Sequence, residues 1–238
     1  MPDLAGLESY RDHLLRWNRQ INLVSRQETE DRLDGLLGQC VGGHQVLDTW
    51  LEGRGLGPAG RPLCYFDLGS GGGLPGIVWH RLWVAAGLSP RTWLVEPREK
   101  RAWFLERAQG PEDGAGFGVL AGRWGELPVS AGDWPDNPLV VISLKALHLT
   151  DAEVLSGWDQ THAGEPGEAD VVIARYYPPE QKRDAALGAK LGLDPAGGVR
   201  DCGDYIYRGQ GTEVVPVPWR GRTVAALVLS VYRSSHRP

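Results

Sequence analysis

Two carboxylates, Asp67 and Glu96, each close a short apolar run, and the turn GSGGGLPG follows the first of them. Glycine loses more conformational freedom on folding than any other residue, so such a cluster marks a tight turn or a backbone that must approach a ligand closely. The flanks exclude a linker: LCYFDL before the turn has a strand's composition, and Pro75 sits where the next helix begins. A dinucleotide fingerprint, G-x-G-x-x-G, fits Gly69, Gly71 and Gly73 only off by one. Asp67 also puts negative charge where a pyrophosphate would be repelled. A carboxylate there suits a cationic amino group, such as the methionine part of S-adenosyl-L-methionine. An acid at Glu96 can take both ribose hydroxyls, but it also suits a helix N-terminus, where the macrodipole favours negative charge.

Other chemistries leave little trace. No G-x-S-x-G elbow occurs, and His13, His44, His80, His148, His162 and His236 show no ligand spacing. Cys40, Cys64 and Cys202 form neither a C-x-x-C pair nor a disulfide framework, so no metal is expected and a reducing, cytoplasmic setting is. No apolar run approaches the ~18 residues of a membrane span, and the charged start MPDLAGLESYRDHLLRWNRQ lacks a signal peptide's apolar core. The net charge of −5 advertises no global field for nucleic acid, which leaves a local basic patch open. All but four of the 25 basic residues are arginine, the side chain better matched to phosphate.

These groups need a frame. Leu4, Leu7, Tyr10, Leu14, Trp17 and Ile21 recur at steps of three and four, which predicts a helix. Residues 28–51 read as a second helix, interrupted by Gly35, Gly38, Gly42 and Gly43. Beyond the loop at 52–62, apolar runs suited to strands (LCYFDL, TWLVE, FGVLA, LVVIS, DVVIARYY, TVAALVLSVY) alternate with helix-like stretches. Those stretches begin at Pro75, Pro97, Thr150 and Pro178, and Thr150 with Glu153 forms a capping-box signature. Such alternation predicts a mostly parallel sheet covered on both faces. DYIYRGQ and RTVAALVLSVYR, with no helix between them, predict an antiparallel pair at its end.

LLRWNRQINLVS, DLGSGGGLPGI and LVEPREKRAWFL together resemble the RsmG (GidB) family of ribosomal RNA methyltransferases. Trp17, Asn18, Asn22 and Leu23 match its W-N-x-x-x-N-L element, and Lys100, Arg101, Phe104 and Leu105 its K-R-x-x-F-L element. The resemblance implies an α/β fold, the class I S-adenosylmethionine-dependent, Rossmann-like methyltransferase sheet of seven mostly parallel strands with an N-terminal helical extension. It divides the chain into 1–60 and 61–238. It implies methylation of a guanine N7 in 16S rRNA, with 16S rRNA or the small ribosomal subunit as partner. The cofactor residues implied are Asp67, Gly69, Ser70, Gly71, Gly73, Leu74, Pro75 and Glu96, with Arg123, Trp124 and Gly125 near the adenine. Trp124 reads equally as a core residue. Lys145, in a segment similar to the family's A-R-A, is the candidate catalytic and substrate-binding residue; Arg222 is the second substrate-binding candidate.

One element departs. The family's R-H-x-x-D-S stretch is not recognisable in RLDGLLGQCVGGHQ, where His44 and Asp34 have the wrong spacing. A methyltransferase of the same ancestry acting on another substrate, or a non-catalytic protein binding the same cofactor, therefore stays open. An NAD-linked oxidoreductase is disfavoured by Asp67.

Overall fold

The computed structural model describes residues 6–24, 30–58, 60–126, 135–162, 168–177, 198–202 and 205–236. The helix expected from Pro178, at 178–192, lies outside them. Helices α1 (Glu8–Asn18) and α2 (Glu30–Gly53) precede an alternating series: β1 (Leu63–Leu68), α3 (Gly76–Ala85), β2 (Arg91–Val95), α4 (Glu99–Arg107), β3 (Gly118–Leu120), β4 (Leu139–Lys145), α5 (Asp151–His162) and β5 (Asp170–Tyr177). Then come β6 (Val199–Cys202), β7 (Tyr205–Trp219) and β8 (Arg222–His236).

The sheet runs β3-β2-β1-β4-β5-β8-β7-β6. The first five strands are parallel, and β8 enters antiparallel against β5, with β7 antiparallel to β8. The expected sheet of seven gains an eighth strand, because β6 pairs antiparallel with the outer side of β7. Strand order reverses between β1 and β4, and in open α/β sheets ligands bind beyond the carboxyl ends of the strands at such a point.

The central strands are buried on both faces, which explains their unbroken apolar composition. Alternate residues divide between two cores. Leu63, Tyr65, Leu139 and Val141 pack with α1, α2 and α3, while Cys64, Phe66, Val140 and Ile142 pack with Val154, Leu155 and Trp158 of α5. The glycines of α2 do not interrupt it. Gly38, Gly42 and Gly43 sit where a Cβ would overlap Trp219, the carbonyl of Pro218 and the hydroxyl of Tyr176, so the helix lies directly against the β7–β8 hairpin and β5. The Thr150–Glu153 capping box forms as expected, with Glu153 N–H donating to Thr150 Oγ1 at 3.2 Å and Thr150 N–H to Glu153 Oε2 at 2.7 Å. Among the described residues no helix is long and apolar enough to cross a membrane, and no cluster of His, Cys, Asp and Glu could hold a metal ion.

Candidate active site

The glycine loop leaves β1 through backbone that side chains rarely adopt: Gly69, Gly71 and Gly73 have φ of 69°, 59° and 88°. Gly69 and Ser70 N–H both donate to Val95 O, which ties the loop to the end of β2. Asp67 holds its other side. Its carboxylate accepts from Ser70 Oγ, from Gly76 N–H at 3.1 Å and from Ser143 Oγ at 2.5 Å, and Ser143 in turn accepts from Tyr65 Oη. Burial pushes the Asp67 carboxyl up to about 6, against the pull of these hydrogen bonds.

The elements that carry the family resemblance meet over this loop. Tyr10 Oη donates to Gly72 O at 2.5 Å, and Leu14 and Leu23 close on Gly72. Asn18 Oδ1 accepts from Leu23 and Val24 N–H, folding the chain after α1 back toward the loop. Arg101 of α4 donates to Asn22 O at 2.5 Å, with its guanidinium beside Gly71. Trp17 meets Trp103 edge-on at 4.8 Å, and His13 stacks on Phe104. The W-N-x-x-x-N-L and K-R-x-x-F-L elements are thus two sides of one seam over the glycines.

A cleft of about 890 Å³ opens at the carboxyl ends of β1, β2 and β4. Of the residues expected there, Gly69, Glu96, Arg123, Trp124 and Lys145 line it. Glu96 is only 3% exposed; Oε2 accepts from Gly71 N–H at 2.8 Å and Oε1 from Arg98 N–H at 3.0 Å. Trp124 lines the cleft and is anchored by Nε1–H to Val154 O and by Phe66.

Other expected residues stand elsewhere. Asp67, 1% exposed, does not line the cleft, because a buried carboxylate needs internal partners and finds three in the loop and β4. Ser70, Gly71, Gly73, Leu74 and Pro75 form the buried loop itself. Gly125 turns toward Gly157 and Gln160 of α5. Arg222 is exposed at the β7–β8 hairpin and lines neither this cleft nor the next.

A second cleft, of about 520 Å³, adjoins the first and shares Lys145, Ala146 and Leu147 with it. Gln39, Arg175, Tyr176 and Tyr177 also line it. Sequence reasoning missed this pocket, since ARYY reads only as strand and Gln39 only as helix. The basic side chains Arg98 and Arg101, which join Arg123 and Lys145 on the first cleft, carried a signal in the P-R-E-K-R run after Glu96.

His44 and Asp34 take no part. Asp34 pairs with Arg11 at 2.6 Å, while His44 is buried against Trp79 and Trp83 with Nδ1 3.1 Å from Asp48. Burial lowers His44 to about 3 and raises Asp48 to about 6. The folded protein therefore keeps His44 neutral where the unfolded chain protonates it, so this contribution to stability is lost as pH falls from 6.5 toward 3. Asp48, protonated in the fold where the unfolded chain is ionised, acts oppositely between 3.8 and about 6. In His44→Asn, the slope of unfolding free energy against pH between about 4 and 6 should fall by about 1.4 kcal/mol per pH unit, measured by urea unfolding.

Strand order, reversal point and glycine loop define a class I, Rossmann-like methyltransferase fold. A family model described as rRNA small subunit methyltransferase G (GidB) matches residues 3–113. The chain is 31% identical over 166 residues to a protein named ribosomal RNA small subunit methyltransferase G in Ruegeria sp. (strain TM1040), covering 70% of each. It belongs to that family. A relative of the same name in Nitratidesulfovibrio vulgaris (strain DP4) is 33% identical over 120 residues, and there the match spans half the length of each chain. The solved plantazolicin methyltransferase BpumL, in complex with SAH, aligns over 98% of this chain and 97% of its own at 9% identity and a TM-score of 0.44. The fold assignment rests on the strand order.

Proposed function

We propose that the chain is an S-adenosylmethionine-dependent methyltransferase acting on N7 of a guanine in 16S rRNA, alone or within the small ribosomal subunit. The supporting observation is the first cleft, where a buried acid at the end of β2 faces an opening rimmed by Arg98, Arg101, Arg123 and Lys145. The residues present fit an adenosyl group. Leu68, Val95, Leu147 and Leu149 supply apolar walls, Trp124 a flat one, and Glu96 two acceptor oxygens for a ribose diol. Asp67 acts through the loop it holds rather than by contact.

When bound, S-adenosylmethionine supplies an electrophilic methyl group on a sulfonium sulfur. Guanine N7 already carries an exposed lone pair, so no side chain need remove a proton; the protein's task is alignment. Lys145, where the two clefts join, can hold the base's O6 or a neighbouring phosphate, and the arginine rim can hold the strand by its phosphates. The rim is local to a chain whose net charge is −5. Division of the chain into 1–60 and 61–238 belongs to this reading, with the first segment bracing the cofactor loop.

S-adenosylhomocysteine, but not NAD, should raise the melting temperature, and methyl transfer to 30S subunits or stripped 16S rRNA should yield 7-methylguanosine. Lys145→Ala should lower turnover by about tenfold, the worth of one hydrogen bond to a charged donor, and leave S-adenosylhomocysteine binding intact. No thermal shift with S-adenosylhomocysteine would overturn the cofactor assignment. Unchanged turnover would remove Lys145 from the site.

A further inference from the structure

The second cleft shares a wall with the cleft assigned above to the donor. We infer that it receives the target guanine base and reads it through Gln39 and Lys145, an inference that rests on the function proposed above. Around guanine the polar atoms run in a fixed order: N7, then O6, then N1–H and the exocyclic N2 amine. Methylation requires N7 to face the donor cleft. A group that binds O6 must then stand where the two clefts meet, and Lys145 lines both. The N1–N2 edge must point to the far side, and Gln39 lines the second cleft alone. The order of side chains across the pocket thus follows the order of atoms around the base.

The polarity agrees as well. Gln39 donates from Nε2 to the Val224 carbonyl at 3.0 Å; a carbonyl can only accept, so this bond fixes which end of the amide is pinned. Oε1 is left to accept from guanine's N2 amine. Adenine has no amine at that position and presents an acceptor at N1. Lys145 is in turn held by soft contacts, Cys40 Sγ at 3.9 Å and the Tyr176 ring at 5.5 Å, with no carboxylate in hydrogen-bond reach among the described residues. Its ammonium can exchange them for O6. Tyr176 and Tyr177 supply aromatic walls for a base taken out of its stack. Gln39 and Cys40 lie in the stretch of α2 where the family's R-H-x-x-D-S element is not recognisable.

The test uses 30S subunits rebuilt on 16S rRNA carrying guanosine or inosine, which lacks the N2 amine, at the position the wild-type protein methylates. Gln39→Leu should lower kcat/KM on guanosine by about tenfold or more, the discrimination expected of one well-placed base contact. Inosine should cost the wild type a similar factor and cost Gln39→Leu nothing further, because the two changes remove the same bond. Gln39→Glu keeps an acceptor oxygen but loses the donor that pins the side chain to Val224 O, so it should recover only part of the guanosine rate. Affinity for S-adenosylhomocysteine should stay the same in all three proteins. Wild-type transfer with independent or absent effects of Gln39→Leu and inosine would overturn the inference and leave the proposed function standing. A wild-type protein that binds S-adenosylhomocysteine but methylates no 16S guanine would overturn both.

Discussion

Asp67→Ala is expected to destabilise the protein by about 3 kcal/mol and to weaken S-adenosylhomocysteine binding by about a hundredfold or more. Ser70 Oγ, Ser143 Oγ and Gly76 N–H all converge on this carboxylate. Each buried donor left without a partner costs about 1–3 kcal/mol; the two hydroxyls can rotate to lessen the loss, but the amide cannot. Asp67→Asn keeps one acceptor and removes a buried charge, so it should stay within about 1 kcal/mol of the wild type at pH 7. The two variants also separate by pH. The folded protein holds the Asp67 proton up to about 6, where the unfolded chain has released it above 3.8. The resulting stability is fully present below 3.8 and is lost as pH rises through about 6. Asp67→Asn should abolish that loss. Urea unfolding and calorimetry with S-adenosylhomocysteine read both effects; an alanine variant with wild-type stability and affinity would show that Asp67 does not organise the loop.

Asp151→Ala should cost about 3–5 kcal/mol, the largest stability effect expected here. Arg175 of β5 is 1% exposed and pairs with Asp151 at the start of α5, while Tyr232 Oη donates to the same carboxylate. Removing Asp151 strands a guanidinium in the interior, where an unpaired charge is far costlier than a missing ion pair. Replacing both, as Asp151→Leu with Arg175→Met, should therefore cost less than either single change. Arg175 also donates to Leu149 O at 3.0 Å, and Leu149 lines the first cleft while Arg175 lines the second. The pair holds in place the segment that walls both. If urea unfolding finds the single variants no worse than the double, the pair is not the brace described.

Much of this was legible because local chemistry constrained it. Leu63–Leu68 and Asp170–Tyr177 are strands as their apolar runs predict, and α5 begins at its capping box. The eighth strand was not legible, because β6 is a short edge piece whose Val199 is 66% exposed and carries no buried run. The continuity of α2 was not legible either, since glycine propensity argues against a helix that tertiary contact with Trp219 and Tyr176 in fact selects. At the site, sequence chemistry marked both Glu96 and Asp67, but not that Glu96 lines the cleft while Asp67 is buried beneath the loop. A carboxylate at the end of a strand reads the same whether it faces solvent or three buried donors. Gln39 and Tyr176, 137 positions apart, meet only through topology.

The close seating of α2 has a consequence for how this enzyme family can diverge. A Cβ at Gly38 would meet the Trp219 ring, at Gly42 the Pro218 carbonyl and at Gly43 the Tyr176 hydroxyl, so α2 keeps its seat only with glycine at these three places. Positions 39 and 40, between Gly38 and Gly42, are thereby held in register. On the base-reading role proposed above, change at position 39 would retune which nucleobase is accepted without remodelling the scaffold, whereas a larger residue at 38, 42 or 43 would pry helix from sheet.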